Sequence, residues 1–311
     1  MTELIPPLES YGRTNSVLVT GGRGFIGRAV VKLLQRSGYG VVSLDARPPT
    51  SSPASRREVE CDLADARQLQ RVFEIEQIGG IIHLAAILPT AAQREPVRAT
   101  RVNVDGSLHL LEMARRFDVR RFVFGSSLSV YGTYAADQVV SEADRAAPED
   151  LYGAAKLYVE QIGEAYRQSY GLEFVSLRIG RVVGGGAQSA SSAWRSQIVE
   201  LLPTRHAAEI TLPYVGSERI LLVHVDDVAK MLVALLGAAC PAHSAYNAAC
   251  ESVVVTDLKD EVESLNSNIR VQLGEAHASG NPRLLDSSLF RQEFGFQMVP
   301  IFEQLSKAAK E

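Results

Sequence analysis

One stretch constrains this chain more than any other: Val17-Leu18-Val19-Thr20-Gly21-Gly22-Arg23-Gly24-Phe25-Ile26-Gly27-Arg28-Ala29-Val30-Val31-Lys32-Leu33-Leu34. An apolar run of strand character ends at Thr20, glycines follow at 21, 24 and 27, and a helical pattern then places apolar residues at 26, 29, 30, 33 and 34. Strand, glycine-rich turn and helix in that order bring the backbone close to a pyrophosphate and aim a helix N-terminus at it. Asp45 closes a second apolar run, Gly40 to Leu44. A carboxylate there accepts both hydroxyls of an adenosine ribose and repels a 2′-phosphate, which favours NAD over NADP. Arg23 and Arg47 complicate this, since either can reach such a phosphate. Arg47 can equally stack over adenine or remain a solvated loop charge.

The same alternation continues along the chain. Strand patterns cover 16–20, 41–45, 58–63, 80–86, 121–125 and 173–178, and helical spacing covers 24–37, 65–74, 96–117 and 152–170. The segment 47–57, rich in Pro, Ser and Arg, reads as a loop. Near-continuous apolar strands joined by helices predict a parallel sheet covered on both faces, and right-handed crossovers make it doubly wound. Ligands of such sheets sit beyond the carboxyl ends of the strands. The rhythm changes at Gly184. A small, polar loop leads to a helix over 193–202, a strand over 220–225 and a helix over 228–236. A helix over 258–265, a strand over 269–273 and helices near Ser287 and Phe302 complete the chain. The expected division is a flexible arm at 1–14, a dinucleotide-binding domain over 15–183 with 220–248, and a smaller α+β substrate-binding lobe over 184–219 with 249–311.

A net charge of -4 gives no reason to expect nucleic acid as a partner. Cys61, Cys240 and Cys250 have no CxxC spacing, so neither a metal site nor a disulfide framework is expected, and a reducing compartment fits. The first fifteen residues lack the basic start and apolar core of a signal peptide, and no apolar run approaches membrane-spanning length. The expectation is a cytoplasmic protein with no membrane partner.

Tyr152-Gly153-Ala154-Ala155-Lys156 puts Tyr152 and Lys156 one helical turn apart on one face. A phenol, with a free pKa of about 10, becomes a usable acid or base when a nearby ammonium favours its phenolate. It can then exchange a proton with an alcohol or carbonyl while hydride moves to or from a nicotinamide. Read alone, the pair also describes solvated residues on an ordinary helix. Ser126-Ser127 follows a strand that ends on the same rim as the glycine turn, where a hydroxyl can hydrogen-bond the reacting oxygen. Its plainer reading is a serine-rich turn.

With these residues in place, the chain resembles the extended short-chain dehydrogenase/reductases, the group of NAD-dependent epimerases and dehydratases. The resemblance is carried by TGGRGFIG at 20–27, Asp45, CDL at 61–63, HLAA at 83–86, NVDGS at 103–107, SSLSVYG at 126–132, YGAAK at 152–156, LR at 177–178 and HVDDVA at 224–229. It implies a Rossmann-type α/β fold. It also implies that Gly21, Gly24, Phe25, Ile26 and Gly27 hold a pyrophosphate, Asp45 the ribose, and Asp62 with Leu63 the adenine. Leu84, Ala85 and Ala86 would line the nicotinamide side. Ser127, Tyr152 and Lys156 would form the catalytic set, with Lys156 also on the nicotinamide ribose. Asn103 would tie the site together, His83 would be a buried strand histidine, and His224 with Asp226 and Asp227 would hold strand and helix against the sheet. A homodimer through the 97–116 and 152–170 helices is implied as well.

The departures from the group narrow the reaction. Its dehydratases and decarboxylases carry an acid just after the catalytic Ser or Thr, where this chain has Leu128 and Ser129. Its epimerases usually carry Asn after the LR strand, where this chain has Arg181, a residue suited to clamp a diphosphate or a carboxylate. The 187–194 segment loosely resembles the substrate lobe of sugar-acid or hydroxy-acid dehydrogenases. Arg219, five residues before His224 and one more than the group's spacing, is a second expected substrate contact. Trp194 reads as core rather than as a ligand platform. The leading expectation is NAD-dependent chemistry on a secondary alcohol of a sugar, first as a nucleotide-sugar epimerase. The alternative is a dehydrogenase of a hydroxy acid, sugar acid or amino alcohol that releases NADH. A non-catalytic dinucleotide sensor is the remaining reading, and retention of the Ser, Tyr and Lys set argues against it.

Overall fold

The computed structural model describes residues 16–48, 57–187 and 192–310. The expected N-terminal arm, most of the 47–57 loop and much of the serine-rich 187–192 segment lie outside these described residues. The strands are β1 (Ser16–Thr20), β2 (Val41–Asp45), β3 (Arg57–Glu60), β4 (Ile78–His83), β5 (Arg121–Ser127), β6 (Val139–Val140), β7 (Glu173–Ile179), β8 (Arg181–Val183), β9 (Ala208–Tyr214), β10 (Arg219–His224), β11 (Ala245–Asn247), β12 (Glu251–Val254), β13 (Ile269–Ala276) and β14 (Leu284–Leu285). The helices are α1 (Phe25–Arg36), α2 (Ala66–Ile75), α3 (Pro89–Arg94), α4 (Pro96–Thr100), α5 (Gly106–Arg116), α6 (Leu151–Tyr170), α7 (Ala193–Glu200), α8 (Val225–Gly237), α9 (Val255–Leu265), α10 (Ser288–Phe294) and α11 (Ile301–Ala308).

A seven-stranded sheet runs in the order β11-β7-β5-β4-β1-β2-β3, and every pairing in it is parallel. The chain first builds outward from β1 to β3 and then builds the other half from β4, so the switch point falls between β1 and β4. Alternate residues serve the two faces. Val17, Val19 and Ile82 join α1 and α8 in one apolar core, while Leu18, Ile81, Phe122 and Phe124 join α2, α5 and α6 in the other. This is the doubly wound Rossmann-type architecture that the alternation implied.

The remaining strands differ from expectation in where they pair. The strand expected over 220–225 is not in the main sheet. As β10 it lies parallel to β8 and antiparallel to β12 in a three-stranded sheet. The strand predicted near 269–273 extends to Ala276 and pairs with β9, which the sequence pattern does not mark as a strand. β9 carries Pro213 and buries only Ile210 and Leu212 fully, so its apolar signal is short. Ile210, Leu212, Ile220, Leu222, Leu258 and Ile301 form a third core, separate from the two that flank the main sheet. The helix expected over 96–117 contains a π-helical turn at Arg101–Asp105 between α4 and α5.

Candidate active site

The glycine turn leaves β1 at the switch point. Gly21 takes a φ of +66°, a left-handed value that suits glycine, and a Cβ there would lie 2.8 Å from the Ala85 nitrogen. A Cβ on Gly27 would run into the Gly21 carbonyl, so α1 sits directly on the turn. Gly24 donates its N–H to the Gly21 carbonyl at 2.8 Å, and no side chain caps the amides that open α1 at Phe25, Ile26 and Gly27. Uncapped amides and the positive end of the helix make this a ready anion site.

Asp45 ends β2 beside the turn. Its Oδ2 accepts from the Arg23 backbone N–H at 3.1 Å, and its Oδ1 accepts from Arg47 N at 3.1 Å and Nε at 3.0 Å. Burial alone would raise this carboxyl. The hydrogen bonds and charge of Arg47, with the Arg23 amide, win and hold it below the usual carboxylate range. Of the three readings of Arg47, the structure shows a fourth arrangement, an ion pair with Asp45 on a side chain that stays 50% exposed. Arg23 turns its guanidinium to Glu58 at 3.4 Å and to the Asp45 carbonyl at 3.4 Å. Asp62 is exposed, with Oδ1 accepting from the Ala64 N–H at 3.0 Å, while Leu63 is buried under Gly106.

A buried relay links the two strands of the switch point. The N–H groups of Leu84 and Ala85 each donate to Thr20 Oγ1 at 3.2 Å, and Thr20 Oγ1 lies 2.6 Å from His83 Nδ1. His83 Nε2 lies 2.8 Å from Ser107 Oγ, which donates to the Asn103 carbonyl at 2.7 Å. Because Ser107 gives its one proton to that carbonyl, His83 carries its proton on Nε2 and accepts at Nδ1. Burial and the Lys156 charge push His83 down to about 3, so the ring is neutral. Asn103 also clamps the backbone of Ile87, accepting its N–H at 2.7 Å and donating to its carbonyl at 3.0 Å. The segment 84–87, with Ala86 inside it, is thereby held against the glycine turn.

Ser127, Tyr152 and Lys156 come from β5 and α6. Asp150 caps α6 by accepting the Gly153 N–H at 2.6 Å, and Gly153 packs so closely on the Ser129 carbonyl that no side chain fits between them. This seats Tyr152 beside the turn that begins at Ser127. Ser127 Oγ accepts the Ser129 N–H at 3.1 Å. Lys156 donates to the Gly125 carbonyl at 2.7 Å, with Nζ 4.5 Å from the Phe124 ring centroid and 5.6 Å from that of Tyr152. Burial brings Lys156 down to about 7, with Glu160 opposing. Leu128, at the position where an acid would serve elimination, is fully buried.

The electrostatics correct one sequence expectation. Burial and Asp150 raise Tyr152 above its ordinary value, and the cation that opposes them is Arg195 rather than Lys156. Lys156 is turned to the Gly125 carbonyl, and the loss of water around both groups raises the phenol and lowers the ammonium. The phenol is neutral in the protein as it stands.

Arg181 opens β8. Its Nε donates to the Tyr214 hydroxyl at 3.1 Å, and its Cζ lies 5.5 Å from the Tyr214 ring centroid. Arg195, on α7, escaped the sequence reading, and a lone Arg in a helix pattern carries no signal that could have found it. Burial, reinforced by the charge of Arg181, pulls Arg195 down to about 10, and Tyr214 and Tyr152 oppose the shift. Arg181 and Tyr214 are thus in direct contact, and Arg195 lies within electrostatic reach of both and of Tyr152. Trp194 is buried against Tyr214, in keeping with a core role.

Arg219 does not join these residues. It lies three residues before Leu222, the partner of Arg181 in β8, so it sits about 10 Å down the strand. It lines an open cavity of about 680 Å³ with Asp137, Glu218 and Arg283. The one-residue departure in spacing has a plain consequence, since successive strand residues face opposite ways and Ile220, at the expected spacing, is buried. His224 caps α8 by accepting the Asp226 N–H at 3.3 Å, and Asp227 bonds Lys230 at 2.8 Å and Gln304 at 2.9 Å. Among the described residues, no group of His, Cys, Asp and Glu is arranged to hold a metal.

Comparison with known proteins agrees with this geometry. The model of the NAD dependent epimerase/dehydratase family matches residues 17–249. A UDP-glucose 4-epimerase of Lacticaseibacillus casei is 35% identical over 176 residues, 54% of this chain and 52% of that one. A uronate dehydrogenase of Pseudomonas syringae pv. tomato is 30% identical over 167 residues, 53% of this chain and 59% of that one. The chain thus spans about half the length of the curated relatives it matches. The crystal structure of a Thermus thermophilus UDP-glucose 4-epimerase in complex with NAD has a TM-score of 0.80, covering 95% of this chain and 98% of that one at 25% identity. The parallel sheet, the glycine turn at its switch point and the family match over most of the sequence lead to one assignment: this chain belongs to the NAD-dependent epimerase/dehydratase family.

Proposed function

We infer that this protein carries out NAD-linked oxidation and reduction at a secondary alcohol of a sugar, with nucleotide-sugar epimerisation as the first reading. The observation that carries this is the placement of Ser127, Tyr152 and Lys156 on the rim that also holds the glycine turn. The cradle fits a dinucleotide: uncapped amides at Phe25, Ile26 and Gly27, no room for side chains at Gly21 and Gly27, and the Asp45 carboxylate beyond them. NAD, when bound, supplies the hydride acceptor and donor. Asp45 and Glu58 already hold the nearby arginines, which supports NAD over NADP.

In this reading Tyr152 exchanges the proton at the reacting oxygen. The neutral phenol is ready to donate to a carbonyl, and as phenolate it accepts from the alcohol. Ser127 Oγ holds that oxygen. Lys156, anchored on the Gly125 carbonyl, stands close to the ring and in its protonated form supplies positive charge there. The buried Leu128 offers no acid for elimination of water.

Arg181 and Arg195 favour a second reading, a dehydrogenase of a sugar acid or hydroxy acid that releases NADH. Exposed apolar residues on the helices expected at a dimer interface, among them Val97, Leu108 and Tyr158, support a homodimer. The free cysteines fit a reducing cytoplasm. Among the described residues no helix is long and apolar enough to cross a membrane.

The test is Tyr152→Phe. It should abolish turnover while NAD binding persists, and retained turnover would refute the assignment. Cofactor fate then separates the readings: a changed sugar without net NADH means epimerase, and stoichiometric NADH means dehydrogenase.

A further inference from the structure

Arg28 follows the last glycine of the cofactor turn and sits in the first turn of α1, where its N–H bonds the Gly24 carbonyl at 3.0 Å. Its guanidinium joins two segments that are far apart in the chain. Nη1 donates to the Arg23 carbonyl, within the glycine turn, at 3.1 Å, and Nη2 donates to the Gly186 carbonyl at 2.5 Å. A Cβ on Gly186 would run into that guanidinium, and Gly186 holds a left-handed φ of +98°. Both acceptors are neutral, and among the described residues no carboxylate is bonded to Arg28.

The loop that Arg28 reaches is joined to α7. The Gly184 N–H donates to the Arg195 carbonyl at 3.2 Å, the Gly186 N–H to Glu200 Oε1 at 2.6 Å and the Ala187 N–H to Ser196 Oγ at 2.6 Å, while Ser196 Oγ donates to the Gly184 carbonyl at 2.7 Å. That last bond is buried, whereas both Arg28 bonds are exposed and can open without disturbing the packing on either side. The path of the loop gives this consequence. β7 and β1, the strand that feeds α1, stand three places apart in the main sheet, about 14 Å. The chain that leaves β7 and meets Arg28 at Gly186 therefore runs along the carboxyl rim past β5 and β4 and bounds the crevice between β4 and β1. Ligands of a doubly wound sheet lie in that crevice.

The geometry points to Arg28 as a latch that pins the 184–187 loop, and α7 with it, against the cofactor turn, and so slows escape of the dinucleotide. Arg28 is a positioning residue in this role. The latch needs a planar fork, with two nitrogens of one guanidinium on carbonyls from two segments, which an ammonium on a flexible stem does not reproduce. The inference rests on the reading that a dinucleotide occupies the crevice, and it holds for an epimerase and a dehydrogenase alike.

The experiment is stopped-flow release of bound NADH, with excess NAD as the trap and NADH emission as the signal, together with the association rate from direct mixing. Arg28→Ala is expected to raise the release rate about tenfold and to leave the association rate within about twofold. Arg28→Lys, which keeps the charge and loses the fork, should release nearly as fast as Arg28→Ala. Gly186→Ala pushes the loop off the guanidinium from the other side and should also speed release. The double variant should release no faster than the faster single one, because both changes act on one contact. Unchanged release in Arg28→Ala overturns the latch, and so do additive effects in the double variant. Wild-type release in Arg28→Lys, or slower association with unchanged release in Arg28→Ala, also overturns it, because Arg28 would then act as a charge that attracts the cofactor. The cofactor reading fails separately, and takes the latch with it, if the wild-type protein binds no NADH.

Discussion

Lys156 should leave a signature in how stability depends on pH. The side chain is 4% exposed, and burial brings its ammonium from the ordinary 10.5 down to about 7. Between those values the unfolded chain holds a proton that the folded chain has released. Stability therefore rises with pH from about 7 toward 10.5, and stays flat with respect to this group below about 7, where both states are protonated. From about pH 7 to about pH 8.5 the single-site contribution is on the order of 1.5 kcal/mol. Burial also raises Tyr152, and it pushes Cys61 and Cys250 up to about 12. These groups lower stability with rising pH only above their ordinary values of 10.0 and 9.0, outside the window. Lys156→Met keeps the volume and removes the titration. Urea denaturation of the cofactor-free protein at the two pH values, for wild type and Lys156→Met, isolates the effect. Wild type should gain about 1.5 kcal/mol relative to the variant as pH rises. Equal pH slopes in the two proteins would sink the argument, because Lys156 would then be titrating as it does in water.

Two further changes probe the frame around the site. Gly27→Ala forces a methyl group into the Gly21 carbonyl, so calorimetry should show NAD affinity reduced by at least about tenfold, for a strain of about 1–3 kcal/mol; wild-type affinity would mean the turn yields freely. Glu160→Gln strips Arg178 of a buried carboxylate at 2.7 Å, and the urea midpoint should fall by the equivalent of about 3–5 kcal/mol. The same change removes the charge that supports protonated Lys156, so the pH window described above should move down; a stability loss under about 1 kcal/mol with no such movement contradicts the network.

Much of the site was legible because its signals are local. Gly21, Gly24 and Gly27 mark a turn that must approach other backbone closely, and Asp45 follows at the end of the next apolar run. Tyr152 and Lys156 share a helix face by spacing alone. Their electrostatics were not legible. The expected lowering of Tyr152 by Lys156 fails because burial, which no spacing reports, dominates both groups, and because Lys156 Nζ is bonded to the Gly125 carbonyl.

The alternation of apolar strands with amphipathic helices determined the doubly wound sheet, since its strands, the polar edge strand β3 apart, are apolar enough to be covered on both faces. The chain alone also determined that Arg181 follows the β7 strand and that Leu128 replaces an acid. Tertiary structure decided the rest. It paired β10 with β8 and β12 outside the main sheet, joined Asp45 to Arg47, and sent Arg219 to a separate cavity. It also brought Arg195, on α7, within electrostatic reach of Arg181, Tyr214 and Tyr152. The physical reason is one of range. Backbone propensity and side-chain periodicity act over a few residues, whereas partners across strands, burial of charge and the direction of a long side chain depend on which surfaces meet once the chain has packed.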